Sequence, residues 1–185
     1  MNNTSQQYDL EAQKCHEVFV KKTKDYGTAW RILRSSSLTD QLFIKAKRIR
    51  SIEEKKEQKI EEGVENEYIG LINYSAMALI QLQLGSDAPM ELEHAFAERL
   101  YKEEIQATKE LMLAKNHDYG EAWRDMRISS LTDLILMKIL RLKQIEDNEG
   151  KVIISEGPEG SYRDIINYSM FALIKKQEQS KELKV

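Results

Sequence analysis

The chain contains few of the residues that cross-link or interrupt a fold. Its single cysteine, Cys15, excludes an internal disulfide and fits a reducing compartment. Two prolines and eight glycines among 185 residues leave long stretches free to be helical. No apolar run approaches the roughly 18 residues that a membrane span needs, and no basic region followed by an apolar run predicts a signal peptide. We therefore expect a cytoplasmic protein.

Signatures of several function classes are also missing. The formal net charge of −3 and the pI near 5.8 give no global attraction for nucleic acid. There is no Ser-His-Asp arrangement, no Cys/His metal spacing and no glycine-rich phosphate loop. These absences favour a small-molecule partner over nucleic acid or a membrane, and they leave the oligomeric state open, a homodimer included.

What the chain does contain is an internal repeat. Residues 22–53 align without a gap to 115–146, with 17 of 32 positions identical. After one residue of indel, 63–83 align to 157–177, with 11 of 21 identical. Two copies are too few for a solenoid array, and each half alone would expose much of its apolar face. We predict one compact body made of copy one, 1–86, and copy two, 87–185.

Each copy is predicted to form three helices, which gives an all-α, pseudo-twofold bundle. Gly27 and Gly120 are the expected left-handed stops of the first helices. The segment 86–89 resembles the start of copy two's first helix, and capping boxes at 37–40 and 130–133 resemble the starts of the second helices. The second helix of copy two is apolar on nearly every side, which predicts that the two second helices pack at the centre. Residues 152–154 could form a short extended piece.

The first candidate site motif follows the first helix. In copy two it consists of Lys115, Asp118, Tyr119, Trp123 and Arg124, and copy one has the same five residue types. The aromatic faces suit a nucleobase, and the charged groups suit polar or phosphate groups. A helix stop with aromatic residues pinning the loop explains the motif equally well.

The second candidate lies on the second helix. Lys138 and Arg141 are three residues apart and share a face. A cationic pair on so apolar a helix needs an anionic partner, because an unpaired buried charge is costly. A phosphate ligand and an internal acid, Asp118 or Asp164, are equally good partners. Asp133 is better explained as an acid in a first helical turn.

The third candidate lies on the third helix, where Asp164 and Asn167 project to one side as oxygen donors for Mg²⁺ would. Copy one keeps the following Asn-Tyr pair but has Gly70 in place of Asp164. The acid is therefore not required by the fold of both halves. A single working site in copy two and a neutral surface change are equally good explanations.

These motifs resemble the nucleotide modification associated domain of the first type, a family of helical domains in bacterial and phage proteins. Its pattern of Lys-Asn-x-Asp-Tyr-Gly, Asp-Lys-x-x-Arg and Asp-x-x-Asn-Tyr is met by 115–120, by Lys138 and Arg141, and by Asp164, Asn167 and Tyr168. The resemblance implies a link to nucleotide or nucleic-acid modification without an agreed reaction.

The helix pattern is also similar, more loosely, to the MazG-like all-α NTP pyrophosphatases. That similarity implies Mg²⁺ held by acids on two adjacent helices and cleavage between the α and β phosphates. The chain departs from the first family's pattern, because Met137 and Ile44 replace the acid before the second-helix lysine. The number of carboxylates available for a metal is correspondingly small.

Our leading hypothesis is a protein that binds a nucleotide or related phosphorylated small molecule and hydrolyses it with Mg²⁺. Asp118 and Asp164 would be the catalytic, metal-holding acids, with Glu159 as a further metal ligand. The predicted substrate-binding residues are Lys115, Tyr119, Trp123, Arg124, Lys138, Arg141, Asn167 and Tyr168. The alternative is a non-catalytic helical scaffold or partner-binding module.

Overall fold

The computed structural model describes residues 4–56, 63–151, 153 and 157–182, and 85% of these described residues are helical. These residues form six α-helices. They are α1 (Thr4–Tyr26), α2 (Ser35–Lys55), α3 (Val64–Leu84), α4 (His94–Tyr119), α5 (Ile128–Asp147) and α6 (Pro158–Glu182). A 3-10 turn follows α1 (Ala29–Ile32) and another follows α4 (Ala122–Asp125). The predicted all-α fold is confirmed; the predicted extended piece at 152–154 lies, apart from Ile153, outside the described residues.

The first helix of each copy ends at a glycine, as predicted. Gly27 has φ +59° and Gly120 has φ +60°, the left-handed region that a side chain rarely adopts. The amide of Gly27 donates to the Thr23 carbonyl at 2.9 Å, and that of Gly120 donates to the Asn116 carbonyl at 2.9 Å. The same stop thus turns the chain towards the 3-10 turn in both copies.

The predicted starts of the second helices and of copy two's first helix were wrong. The second helices begin earlier, at Ser35 and Ile128, after arginines that make no side-chain cap hydrogen bond. The Thr39 hydroxyl oxygen, placed in the predicted capping box, instead lies 3.0 Å from the Ser35 carbonyl oxygen within the helix. Copy two's first helix begins only at His94, because the preceding segment forms hydrogen bonds with copy one.

The six helices form three layers of two, and each layer pairs equivalent helices from the two copies: α2 with α5, α3 with α6, and α1 with α4. The second helices do contact each other, but the prediction that they occupy the centre was wrong. The middle layer is α3 with α6, because these helices bury residues around most of their circumference. On α5, by contrast, Met137 and Leu140 are exposed.

Hydrogen bonds between the copies are repeated by the pseudo-twofold symmetry. The buried Tyr8 hydroxyl donates to Asn167 Oδ1 at 3.0 Å, and the buried Tyr101 hydroxyl donates to Asn73 Oδ1 at 2.7 Å. Burial raises the pKa of both tyrosines, so they remain donors. The first helix of each copy is therefore held by the third helix of the other.

A second repeated set of hydrogen bonds joins the two second helices, and Tyr68 links one of them to the middle layer. The Thr132 hydroxyl lies 3.1 Å from the Tyr68 hydroxyl and donates to Glu53 Oε1 at 2.9 Å. On the other side of the pseudo-twofold axis, the Thr39 hydroxyl donates to Glu146 Oε1 at 2.6 Å. The two copies therefore share buried polar contacts as well as apolar ones. No helix within the described ranges is both long and apolar enough to span a membrane.

Candidate functional site

Each copy encloses a pocket at the same place in its fold. The pocket lies between the C-terminal end of the first helix, the following 3-10 turn and the third helix. The copy-one pocket has a volume of about 610 Å³ and the copy-two pocket about 310 Å³. Both volumes lie in the range of small-molecule sites, about 300–1,000 Å³.

The copy-two pocket brings together six of the predicted site residues. Its lining includes Lys115, Tyr119, Trp123, Asp164, Asn167 and Tyr168. The other predicted residues, which lie outside this lining, are Asp118, Arg124, Lys138, Arg141 and Glu159. The motifs from the first and third helices therefore converge, whereas the second-helix cations are not part of the lining, and Lys138 meets the pocket only through its ion pair with Asp164.

Asp164 forms ion pairs with two lysines. Its Oδ1 lies 2.9 Å from Lys115 Nζ and its Oδ2 lies 2.7 Å from Lys138 Nζ. The Asp164 and Lys138 side chains are 13% and 14% exposed, whereas Lys115 is 48% exposed. The anionic partner of Lys138 on the second helix is therefore an internal acid, Asp164.

Tyr168 lies beside this group. Burial raises its pKa, and the negative charge of Asp164 raises it further. The Tyr168 hydroxyl therefore stays protonated near neutral pH and is a hydrogen-bond donor at the pocket wall.

Trp123 has little free aromatic surface. The side chain is 5% exposed, and Phe171 stacks on it with 4.3 Å between ring centroids and 4° between the planes. The guanidinium of Arg124 lies 4.4 Å from the Trp123 centroid, within cation–π range. A nucleobase could not stack broadly on this ring without displacing one of these neighbours.

Arg124 has internal partners for its donors. It donates to Glu121 Oε2 at 2.8 Å, Glu178 Oε1 at 3.0 Å, Thr4 Oγ1 at 2.7 Å and Gln7 Oε1 at 2.7 Å. Burial raises the pKa of Glu121, but hydrogen bonds from Thr4 and Arg124 outweigh burial and the pKa is lowered. Arg124 therefore fastens the start of α1 to copy two.

Its repeat equivalent, Arg31, fastens the segment between the copies. Arg31 Nε donates to the Pro89 carbonyl at 3.3 Å and Nη2 donates to the Ala88 carbonyl at 3.0 Å. The arginine of the repeated Trp-Arg pair thus anchors the start of α1 in one case and the segment before α4 in the other.

Asn167 lines the pocket but is 4% exposed and hydrogen-bonded on both sides. It accepts from Tyr8, and its Nδ2 donates to the Thr108 carbonyl at 3.3 Å. Asn73 makes the equivalent bonds to Tyr101 and to the Cys15 carbonyl at 3.1 Å. The repeated asparagine therefore joins three helices in each copy.

The predicted metal ligands are not gathered into one site. Asp118 is 77% exposed and pairs with His117 at 3.2 Å, and Glu159 pairs with Arg163 at 2.8 Å. Over the described ranges, no three acidic, histidine or cysteine side chains are arranged to hold a metal. Because Asp164 already pairs with two lysines, this donor set does not fit Mg²⁺, and the magnesium site stays a prediction from the sequence.

The copy-one pocket has a different charge arrangement. Its lining includes two basic side chains, Lys22 and Lys45, and one acidic side chain, Glu67. Glu67 is hydrogen-bonded by Arg48 Nη1 and lies 3.5 Å from Lys45 Nζ. Lys22 has no hydrogen-bond or ion-pair partner within the described part of the chain. Two ammonium groups therefore line this pocket with one acid, which already pairs with an arginine.

Two substitutions between the repeats accompany the larger copy-one pocket. Gly70 replaces Asp164, and the Lys45 side chain passes so close that a Cβ on Gly70 would lie 2.6 Å from Lys45 Cε. Met77 stands where Phe171 stacks on Trp123. The equivalent tryptophan, Trp30, has Phe19 as a tilted neighbour at 6.5 Å. Copy one therefore keeps more room beside its indole.

The indole N–H groups of both tryptophans lack a hydrogen-bond acceptor among the described residues. The Nε1 atoms of Trp30 and Trp123 are buried and have no hydrogen-bond partner in the described structure. Since the feature occurs in both copies, it belongs to the repeated architecture rather than to one pocket's ligand.

Reasoning from the sequence missed Glu67 and Phe171, although both differ visibly between the repeats. Copy two has Ser161 where copy one has Glu67, and copy one has Met77 where copy two has Phe171. A comparison of each third-helix position with its repeat equivalent would have shown a shifted acid. Copy one has its acid at Glu67, and copy two has its acid three residues further along the equivalent helix, at Asp164. Such a shift signals that the acid has changed partners.

The fold and the paired pockets define an all-helical protein made of two copies of one unit, each with a pocket of small-molecule size. The chain belongs to the family described as nucleotide modification associated domain 1, which matches it twice, over residues 22–82 and 115–175. The two matches coincide with the two repeats and confirm the tandem duplication. No curated protein and no solved structure matches the chain.

Proposed function

We propose that the protein binds a nucleotide or a related phosphorylated small molecule in the pocket of its repeated unit. The observation that carries the proposal is the copy-one pocket of about 610 Å³, in which aromatic rings and ammonium groups lie together. Tyr26, Trp30 and Tyr74 offer faces on which a base can stack. Lys22 and Lys45 offer charged donors for phosphate oxygens.

Binding is the part of the sequence-based hypothesis that the geometry supports. Hydrolysis requires a group that activates water, and the predicted acids Asp118 and Asp164 are engaged by His117 and by two lysines. Hydrolysis with magnesium therefore stays a prediction from the sequence.

The alternative, a scaffold without a small-molecule ligand, also has support. Arg124, Asn167 and Asp164 all have internal partners, so part of the repeated motif stabilises the fold. In that case the pockets would be spaces left beside these contacts, and a surface of the bundle would bind another protein.

A thermal-shift panel separates the two. Nucleoside mono-, di- and triphosphates, their deoxy forms and the free nucleosides are each added with and without Mg²⁺, and phosphate release is followed in parallel. A ligand at about 100 times its Kd should raise the unfolding temperature by ~5–10 °C for a chain of this size. The absence of a shift with every compound, together with no turnover, would leave only the scaffold.

The contribution of the pocket is tested with a matched pair of variants. Lys45→Gln removes one of the pocket's ammonium groups, and Lys47→Gln removes an exposed lysine from the same helix. We expect the ligand-induced shift to fall in the first variant and to be kept in the second. Equal shifts in both would place the ligand elsewhere.

A further inference from the structure

We infer that copy one, and not copy two, binds the ligand's anionic group, through Lys22 and Lys45. We infer further that the Asp164 carboxylate takes that group's place in copy two. This inference rests on the proposed function and reverses the sequence-based expectation that the working site lies in copy two. It predicts one phosphate-binding pocket for each chain.

The first step is the shift of one acid along the third helix. Copy one has Glu67 and Gly70, whereas the equivalent positions in copy two are Ser161 and Asp164. Each copy thus has one acid at these two positions, and the two alternatives are separated by three residues, or nearly one helical turn. The formal charge of the two positions is unchanged, so the difference lies in which cation each acid neutralises.

In copy two the acid neutralises the lysines. Asp164 pairs through one oxygen with Lys115 and through the other with Lys138. The third cation of the motif, Arg141, is exposed and lies outside the pocket lining. A ligand phosphate entering this pocket would meet the Asp164 carboxylate and would have to compete with it for both ammonium groups.

In copy one the acid neutralises mainly the arginine. Glu67 accepts a hydrogen bond from Arg48, and its contact with Lys45 is longer, at 3.5 Å. Gly70 has no side chain, so no carboxylate at this position of α3 stands where Asp164 stands in copy two. Lys22, the equivalent of Lys115, lines the pocket without an ion-pair partner in the described residues. The copy-one pocket therefore retains the cationic character that copy two has neutralised.

The comparison also defines the ligand. In copy two, one carboxylate joins the first-helix and second-helix lysines, so an anion placed in copy one with two oxygens could join Lys22 and Lys45 in the same way. The wider pocket beside Trp30 leaves room for a ring system. We therefore expect a phosphate or pyrophosphate group with an aromatic or sugar portion attached.

Each pocket contains one of the chain's two tryptophans, which allows the pockets to be observed separately. Trp123→Phe leaves Trp30 as a reporter of copy one, and Trp30→Phe leaves Trp123 as a reporter of copy two. Inorganic pyrophosphate and adenosine triphosphate are titrated into both variants, and indole fluorescence is recorded. Circular dichroism and thermal unfolding establish that each variant is folded.

We expect saturable fluorescence changes from Trp30 and none from Trp123. Adding Gly70→Asp to the Trp30 reporter should weaken binding by about tenfold or more, because the new carboxylate pairs with Lys22 and Lys45. Gly70→Asn has nearly the same size without the charge and should stay within about threefold of the reporter. Adding Asp164→Asn to the Trp123 reporter should create a response where there was none.

A response from Trp123 with Asp164 intact, or equal binding by Gly70→Asp and Gly70→Asn, would overturn the inference. If the nucleotide panel shifts the unfolding temperature but neither Gly70→Asp nor Asp164→Asn alters binding, this inference fails and the proposed function stands. If no nucleotide shifts it and neither reporter responds, both fail.

Discussion

At the scale of single residues, several residues that are identical in the two repeats form internal contacts that hold the fold together. Asn73 and Asn167 are identical because each joins three helices through buried hydrogen bonds. Arg31 fastens the segment before α4, and Arg124 fastens the start of α1. A ligand role is better sought where the copies differ, as they do at Gly70 and Asp164.

Asp164→Asn tests the structural role of this acid. The substitution leaves the largely buried Lys138 ammonium without its counter-charge, so we expect a loss of about 1–2 kcal/mol in the free energy of unfolding, less than for a fully buried pair. Asp118→Asn, at a side chain 77% exposed, should change it by less than about 0.5 kcal/mol. Chemical denaturation measures both, and equal effects would contradict the assignment.

The sequence predicted part of the candidate site and missed the rest for a physical reason. Lys115, Tyr119 and Tyr168 were found because their spacing on helices brings them to one pocket. The partners of Arg124 could not be found, because Thr4 and Gln7 lie 120 and 117 residues away in the chain. Local periodicity carries no information about contacts between the copies.

At the scale of the helices, endings were easier to predict than beginnings. Gly27 and Gly120 set the ends of α1 and α4 by backbone conformation alone. The beginnings of α2 and α5 carry no side-chain cap, so a search for capping residues pointed to the wrong turn. The layer order was missed because the apolar pattern of α5 suggested burial on every side, although part of that helix faces solvent.

Glu53 and Glu146 predict a pH dependence of the contact between the two second helices, α2 and α5. Burial raises the pKa of each carboxyl, and hydrogen bonds from Thr132 and Thr39 offset this only in part. A raised pKa in the folded state means that the stabilising contribution is complete below the ordinary carboxyl pKa and is lost as pH rises through the folded value. Charging these groups therefore weakens the fold towards neutral pH.

Glu53→Gln tests whether ionisation of this carboxyl lowers stability, because the amide keeps an acceptor for Thr132 and cannot ionise. The stability of the variant relative to the unmodified protein should increase as pH is raised from about 4 to 7. Glu54→Gln removes a charge from the same helix at an exposed position and serves as the control. A relative stability of Glu53→Gln that falls with rising pH would show that the carboxylate is the stabilising form.

At the scale of the whole molecule, we expect the two repeats to unfold as one cooperative body. The middle layer contains a helix from each copy, and Tyr8, Tyr101 and Thr132 make hydrogen bonds across the repeat boundary. Separating the copies would expose both faces of this layer and leave those polar groups unpaired. The duplication is therefore built into the core.

Expressing residues 1–86 and 87–185 separately tests this cooperativity. We expect each fragment to lose most of its helical circular dichroism, because neither can bury its middle-layer helix alone. Mixing the two should restore helicity and give a complex of the mass of the intact chain in size-exclusion chromatography. Two fragments that each unfold cooperatively as monomers would show that the repeats are independent domains.

The central claim is that one chain has one phosphate-binding pocket, in copy one. Calorimetric titration with the nucleotide that gives the largest thermal shift measures the number of sites directly. The account predicts one site for each chain, abolished by Lys22→Gln and kept in Lys115→Gln, its repeat equivalent in copy two. Two equal sites, or a single site lost in Lys115→Gln and kept in Lys22→Gln, would contradict it.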